Sequence, residues 1–232
     1  MGSTRLPGKV LKDLAGDTVL ARVVRRTRRA KLVQQVVVAT SDLPADDAIA
    51  KECMRLSVAC FRGDEADVLD RYYRAAQQFS ADGIVRITSD CPLIDPELID
   101  ATVRAFLERG ADYSTNALVL SYPRGLDVEV FTFEALARAE DCAKEAYQRT
   151  HVTPYFYENP GLFGIASLTA DADYSELRWT LDTIEDLEML REIYDRLEGR
   201  DLGWRGVLEL IKNAPELARI NSSVRQKELH EG

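Results

Sequence analysis

The chain has 232 residues, 46% hydrophobic and 30% charged, enough to bury a sizeable core and too apolar for a mainly disordered state. Its longest apolar runs, such as residues 36 to 39, fall far short of the roughly 18 to 20 residues a bilayer span needs, and no signal peptide precedes the first motif, so a cytoplasmic protein without membrane contact is expected. The net charge is −9, yet the first 31 residues carry +7, a distribution that suits a small polyanionic ligand better than a long nucleic-acid track. The four cysteines form no CxxC pair and only two histidines accompany them, which disfavours a zinc site or a disulfide framework.

In chain order, short β-rich runs alternate with amphipathic stretches. Periodicity predicts helices near 18–30, 45–55, 66–79, 96–109 and 132–142, and strands near 36–40, 57–61, 83–88, 112–115 and 126–131. The alternation defines an α/β fold with a mostly parallel twisted sheet covered by helices on both faces. Asp95 is placed to cap a helix that begins at Pro96, with Glu97 complementing its dipole. Beyond residue 144 the pattern predicts strands at 163–168 and 178–181 and helices near 184–197 and 204–213. Residues 144–232 are read as a C-terminal extension of one domain spanning 1–232.

Three segments carry chemistry. Gly2-Ser3-Thr4-Arg5-Leu6-Pro7-Gly8-Lys9 puts two glycines, two hydroxyls and two cations in eight residues, a composition that can cradle a triphosphate or form an ordinary basic loop. It is not a Walker A loop, because five residues separate the glycines and Val10 stands where a magnesium-binding hydroxyl belongs. In Arg86-Ile-Thr-Ser-Asp90-Cys-Pro a strand delivers Asp90 to its carboxyl end, as a metal ligand or as a turn cap. In Arg178-Trp-Thr-Leu-Asp182-Thr-Ile-Glu-Asp186, Asp182 ends a predicted strand and Thr183 can cap the following helix. Two carboxylates at two strand ends could share one magnesium ion.

These segments, with Val38-Ala-Thr-Ser-Asp42, Phe61-Arg-Gly, Asp67-Val-Leu-Asp-Arg-Tyr-Tyr, Tyr122-Pro-Arg-Gly-Leu-Asp-Val-Glu-Val130 and His151-Val-Thr-Pro-Tyr155, give nearly the whole chain a resemblance to the sugar cytidylyltransferases. The resemblance is to the spore coat polysaccharide branch, related to the acylneuraminate and 3-deoxy-manno-octulosonate cytidylyltransferases. It implies a nucleotide-diphospho-sugar transferase fold, CTP as donor, a sugar or sugar acid as acceptor, and Mg2+ held by Asp90 and Asp182. Gly2, Ser3, Arg5, Lys9, Ser41, Arg62 and Arg86 become candidate nucleotide contacts. Arg124, Asp127, Glu129 and His151 become candidate acceptor contacts, although Asp127 and Glu129 also suit the polar face of an edge strand and His151 a packed or capping group. A homodimer is included in the expectation.

The chain departs from that family in carrying Ser89 where glycine is usual, and in opening directly on the loop without the strand of the type Ile-Ile-Gln-Ala-Arg that leads into it in relatives. The first strand of the sheet is therefore expected to be lacking, and poor expression or weak CTP binding with it. Two other readings stay open: a glycosyltransferase using Asp171-Ala172-Asp173 as a DxD metal motif, and a non-catalytic or truncated nucleotide-binding homologue.

Overall fold

The computed structural model describes residues 1–227. The chain opens with a loop and a single 3-10 turn at Lys9–Leu11, then alternates: α1 (Val19–Thr27), β1 (Val37–Ser41), α2 (Asp47–Arg55), β2 (Ala59–Gly63), α3 (Val68–Gln78), β3 (Gly83–Arg86), α4 (Pro96–Arg109) and β4 (Tyr113–Thr115). There follow β5 (Glu129–Thr132), α5 (Phe133–Cys142), α6 (Ala146–His151), α7 (Pro154–Glu158), β6 (Ile165–Ser167), α8 (Ile184–Leu197), α9 (Trp204–Asn213) and α10 (Glu216–Ile220).

Helix ends are set by local chemistry. The Asp95 carboxylate accepts from the Glu97 and Leu98 amides at 2.7 and 3.1 Å, which satisfies orphan donors of α4. At the other end of that helix Gly110 takes the left-handed conformation that stops it (φ 55°). Thr183 and Asp186 form a reciprocal capping box on α8.

Parallel pairing accounts for only part of the sheet. β1 and β2 form a separate parallel pair. The remaining strands lie in the order β3-β5-β4-β6, in which β5 runs antiparallel to both neighbours and β4 pairs parallel with β6. The α4 crossover leaves β3 and β4 pointing the same way. Between β4 and β5, residues 116–128 contain no helix, so the chain turns back and inserts β5 in the opposite direction. The strand predicted at 178–181 is reduced to one bridge between Arg124 and Arg178.

Helices cover both faces. One apolar cluster joins Leu93, Ile99, Val103, Leu126 and Val130 to Trp179 and to Leu190 and Val207 of the C-terminal helices. The opposite face of β3 to β5 packs Tyr113, Phe131 and Phe156 with α3 and α5. Phe156 is fully buried and stacks on Tyr113 with centroids 5.1 Å apart. A third cluster holds α1 and α2 against β1. Among the described residues no helix is long and apolar enough to cross a membrane.

Candidate active site

The N-terminal loop, the turn after β3 and the turn before α8 converge. Gly8 lies in the left-handed region (φ 65°), where a Cβ would meet the Met1 side chain at 2.9 Å. That conformation starts the 3-10 turn and presents Lys9. The Lys9 ammonium donates to Asp90 Oδ2 at 2.5 Å and to Asp182 Oδ1 at 2.7 Å. Arg5 pairs with Asp182 Oδ2 at 3.0 Å, and Arg178 reaches the same oxygen at 2.6 Å. Residues 5, 9, 90, 178 and 182 thus form one charged knot.

Behind it lies a carboxylate, Asp186, in the first turn of α8. Asp186 is fully buried and accepts from Arg178 Nε at 2.9 Å, from the Asp182 and Thr183 amides at 2.9 and 3.0 Å, and from Asn221 Nδ2 at 2.9 Å. Buried ions are tolerated when their lone pairs are filled in this way. Asp186, Arg178 and Asn221 therefore position the backbone that carries Asp182. The spacing 178, 182, 186 was visible, but Asn221, 35 residues beyond Asp186, gave no sequence signal.

The electrostatics follow the geometry. Burial disfavours the charged form of both Lys9 and Asp182. The two aspartates nevertheless raise the Lys9 ammonium above its ordinary value, and Lys9, Arg178 and Arg5 hold the Asp182 carboxyl below its own. Asp127 is the reverse case. Burial, with Glu129 and Asp90 nearby, pushes it up to about 6.

The other candidates are placed as follows. Gly2 and Ser3 lie in the loop, where the Ser3 hydroxyl accepts from the Leu6 amide at 3.3 Å. Ser41 is buried and donates to Asp46 at 2.7 Å, a carboxylate that also takes Thr40 and the Met1 amino group at 2.6 and 2.5 Å. Arg62 clamps the turn after β1, bonding Ser41 O, Leu43 O and Asp47. Arg86 and Glu129 are cross-strand neighbours that form an ion pair with each other, and Tyr113 donates to Glu129 at 2.7 Å. Arg124 bridges backbone to the 177–179 segment through bonds to Leu177 and Trp179 at 2.9 and 2.7 Å. His151 ends α6, which packs on α3. Asp171 pairs with the exposed Arg205 at 3.1 Å.

Among the described residues no group of three or more His, Cys, Asp or Glu is arranged to hold a metal. The donor set is instead two carboxylates converging on one cationic group, the Lys9 ammonium. Two hard oxygen donors fit a cation that takes its remaining ligands from water and phosphate.

The α/β fold thus gathers a glycine-containing basic loop and two acidic turns at one place. The comparisons give the class. A profile of the cytidylyltransferase family matches residues 1–219. The spore coat polysaccharide biosynthesis protein SpsF of Bacillus subtilis is 34% identical over 94% of this chain and 93% of its own length. A 3-deoxy-manno-octulosonate cytidylyltransferase of Anaeromyxobacter is 33% identical over 88% of this chain and 86% of its own. A cytidylyltransferase structure from Leptospira borgpetersenii superposes with a TM-score of 0.91 at 33% identity, over 98% of this chain and 95% of that one. The chain belongs to the cytidylyltransferase family.

Proposed function

We propose that the protein transfers CMP from CTP to a hydroxyl of a sugar or sugar acid used in cell-surface polysaccharide assembly, releasing pyrophosphate. The observation that carries the reading is the Lys9 ammonium held 2.5 and 2.7 Å from Asp90 and Asp182, which brings three widely separated motifs to one point. The reading is supported by relatives named for spore coat polysaccharide biosynthesis and for 3-deoxy-manno-octulosonate activation.

In this reaction the acceptor oxygen forms a bond to the α-phosphorus, the bond from that phosphorus to the bridging oxygen breaks, and the acceptor proton is lost to solvent. Little covalent work falls to the protein, so catalysis is positioning and charge stabilisation. Arg5 and Lys9 offset charge that gathers on the departing pyrophosphate. Asp90 and Asp182 would hold Mg2+, which supplies a double positive charge against phosphate oxygens. Asp186, Arg178 and Asn221 keep Asp182 aimed. Asp127, beside Asp90 and Glu129 in the electrostatic field of the site, faces the acceptor side together with Arg124. Residues 1–232 act as one catalytic domain in the cytosol.

Pyrophosphate release, screened with each of the four nucleoside triphosphates against a panel of sugars and sugar acids in the presence of Mg2+, tests the proposal. CTP should be turned over and only with an acceptor present. Equal release from ATP or UTP, or none with CTP on any acceptor, contradicts it.

A further inference from the structure

A short stretch beyond α10 is tied at two points to one arginine of the knot. Asn221 is buried and donates to Arg178 O at 3.0 Å and to Asp186 Oδ1 at 2.9 Å, and the Gln226 side-chain carbonyl accepts from Arg178 Nη1. Between these anchors the Arg225 carbonyl accepts from Arg5 Nη1 at 3.4 Å. The turn that begins the stretch is fixed by the Ser222 hydroxyl, which donates to Arg219 O at 2.9 Å, and by the Val224 amide, which donates to Asn221 O at 3.0 Å. Residues 221–227 therefore cross the knot beside Arg5, where that arginine pairs with Asp182.

The charge of the knot gives this placement a consequence. Arg5, Lys9 and Arg178 are matched by Asp90, Asp182 and Asp186, so its formal charges cancel. A nucleoside triphosphate brings roughly four negative charges at neutral pH, and one Mg2+ offsets only about two of them. The charged residues of 222–227 are Arg225 and Lys227, and both are exposed. They flank Gln226, so the contact that holds Gln226 on Arg178 also sets where both cationic stems begin.

We propose, on the reading that CTP binds at this knot, that Arg225 and Lys227 are further ligands of the triphosphate, carried to its outer phosphates by residues 221–227. Binding is an exchange of partners. Phosphate oxygens take the Arg5 donor that now serves the Arg225 carbonyl, and the Arg225 and Lys227 side chains turn onto the same phosphates while Asn221 keeps the stretch anchored. Charge-assisted hydrogen bonds to phosphate are stronger than the 3.4 Å bond to a peptide carbonyl that they replace. Arginine offers a fork that matches a phosphate edge, and lysine a compact charge.

Full-length chains carrying Arg225→Gln with Lys227→Gln, or the exchanged pair Arg225→Lys with Lys227→Arg, test this beside the natural chain. CTP and CMP binding are measured by calorimetry with Mg2+ at several salt concentrations. The neutral pair should lose CTP affinity by about 10- to 100-fold, the range of a charge-assisted hydrogen bond, and show a shallower salt dependence. The exchanged pair, which keeps both charges, should bind CTP nearly as the natural chain does. CMP lacks the outer phosphates and should bind all three chains alike. In the natural chain CTP, but not CMP, should slow trypsin cleavage after Arg225. Unchanged or tighter CTP binding by the neutral pair, or an equal loss for CMP, overturns the proposal and leaves the CTP site standing. Absence of CTP binding by the natural chain overturns the reading of the site, and the proposal with it.

Discussion

Lys9, Arg5 and Arg178 meet Asp90, Asp182 and Asp186, so the knot is locally balanced in charge, and removing one member shows which partner it serves. Asp90→Asn and Asp182→Asn should each reduce Mg2+-dependent turnover by orders of magnitude, because a metal ligand supplies several kcal/mol of transition-state stabilisation. Metal-free CTP binding, measured by calorimetry, should be unchanged or tighter in both, since a negative charge is lost; weaker binding with intact turnover would return both residues to a turn-capping role. Lys9→Ala should weaken CTP binding by about 10- to 100-fold, the range of a charge-assisted hydrogen bond, and lessen its salt dependence. Asp186→Ala should act differently. It takes one of two carboxylate partners from the Arg178 guanidinium and leaves two backbone amides and Asn221 Nδ2 short of an acceptor in the interior, which costs about 3 to 5 kcal/mol, read as a fall in the urea midpoint. Arg5, Lys9, Asp90 and Asp182 were legible as a group because each sits in a short motif whose residue types have few uses. Asp186 was not, because an acid in the first turn of a helix is ordinarily a surface group.

At the scale of elements, ends with strong local signals were legible to the residue. Asp95-Pro96 opens α4 and Thr183 opens α8. The short helices α6 and α7 were not, since six and five residues leave too little periodicity to detect. The predicted 178–181 strand failed for another reason. The Arg178-Trp-Thr-Leu181 segment is approached closely by Gly125, which takes φ 98° and where a Cβ would lie 2.7 Å from the Thr180 nitrogen. Close approach of two loops replaces a strand pair there, and no local pattern announces it. Gly125→Ala should therefore be costly in two ways, through the positive φ and the overlap. The expected outcome is a lower Tm together with lost turnover, as Asp182 shifts with its loop. The same loop carries Asp127, whose pKa of about 6 against an ordinary 3.8 sets a pH signature. The folded state binds the proton more tightly, so its stability falls as pH rises from about 4 to about 6. Asp127→Asn removes this, and its stability advantage over the natural chain, followed by urea unfolding without metal, should grow across that window to at most about 3 kcal/mol. A difference that stays flat with pH would contradict a raised Asp127 carboxyl.

Across the whole molecule the alternation of helices and strands was readable from periodicity, but the sheet order was not. Strand direction depended on what joins β4 to β5, and a non-helical connection of residues 116–128 looks locally like any other loop. The gathering of residues 5, 9, 90 and 182 is a consequence of that topology, since the turns after β3 and before α8 end on one side of the sheet. Membership of the cytidylyltransferase family and the meeting of Lys9 with Asp90 and Asp182 support the central proposal, that CMP transfer takes place at this knot. The most direct test is to follow the label of CTP carrying radioactive α-phosphorus, with Mg2+ and a sugar-acid panel, for the natural chain beside Asp90→Asn and Asp182→Asn. The account predicts that label appears in a CMP ester of one acceptor, with equimolar pyrophosphate, and that neither variant makes it. Label recovered only as free CMP, or an ester formed equally by all three chains, would contradict it.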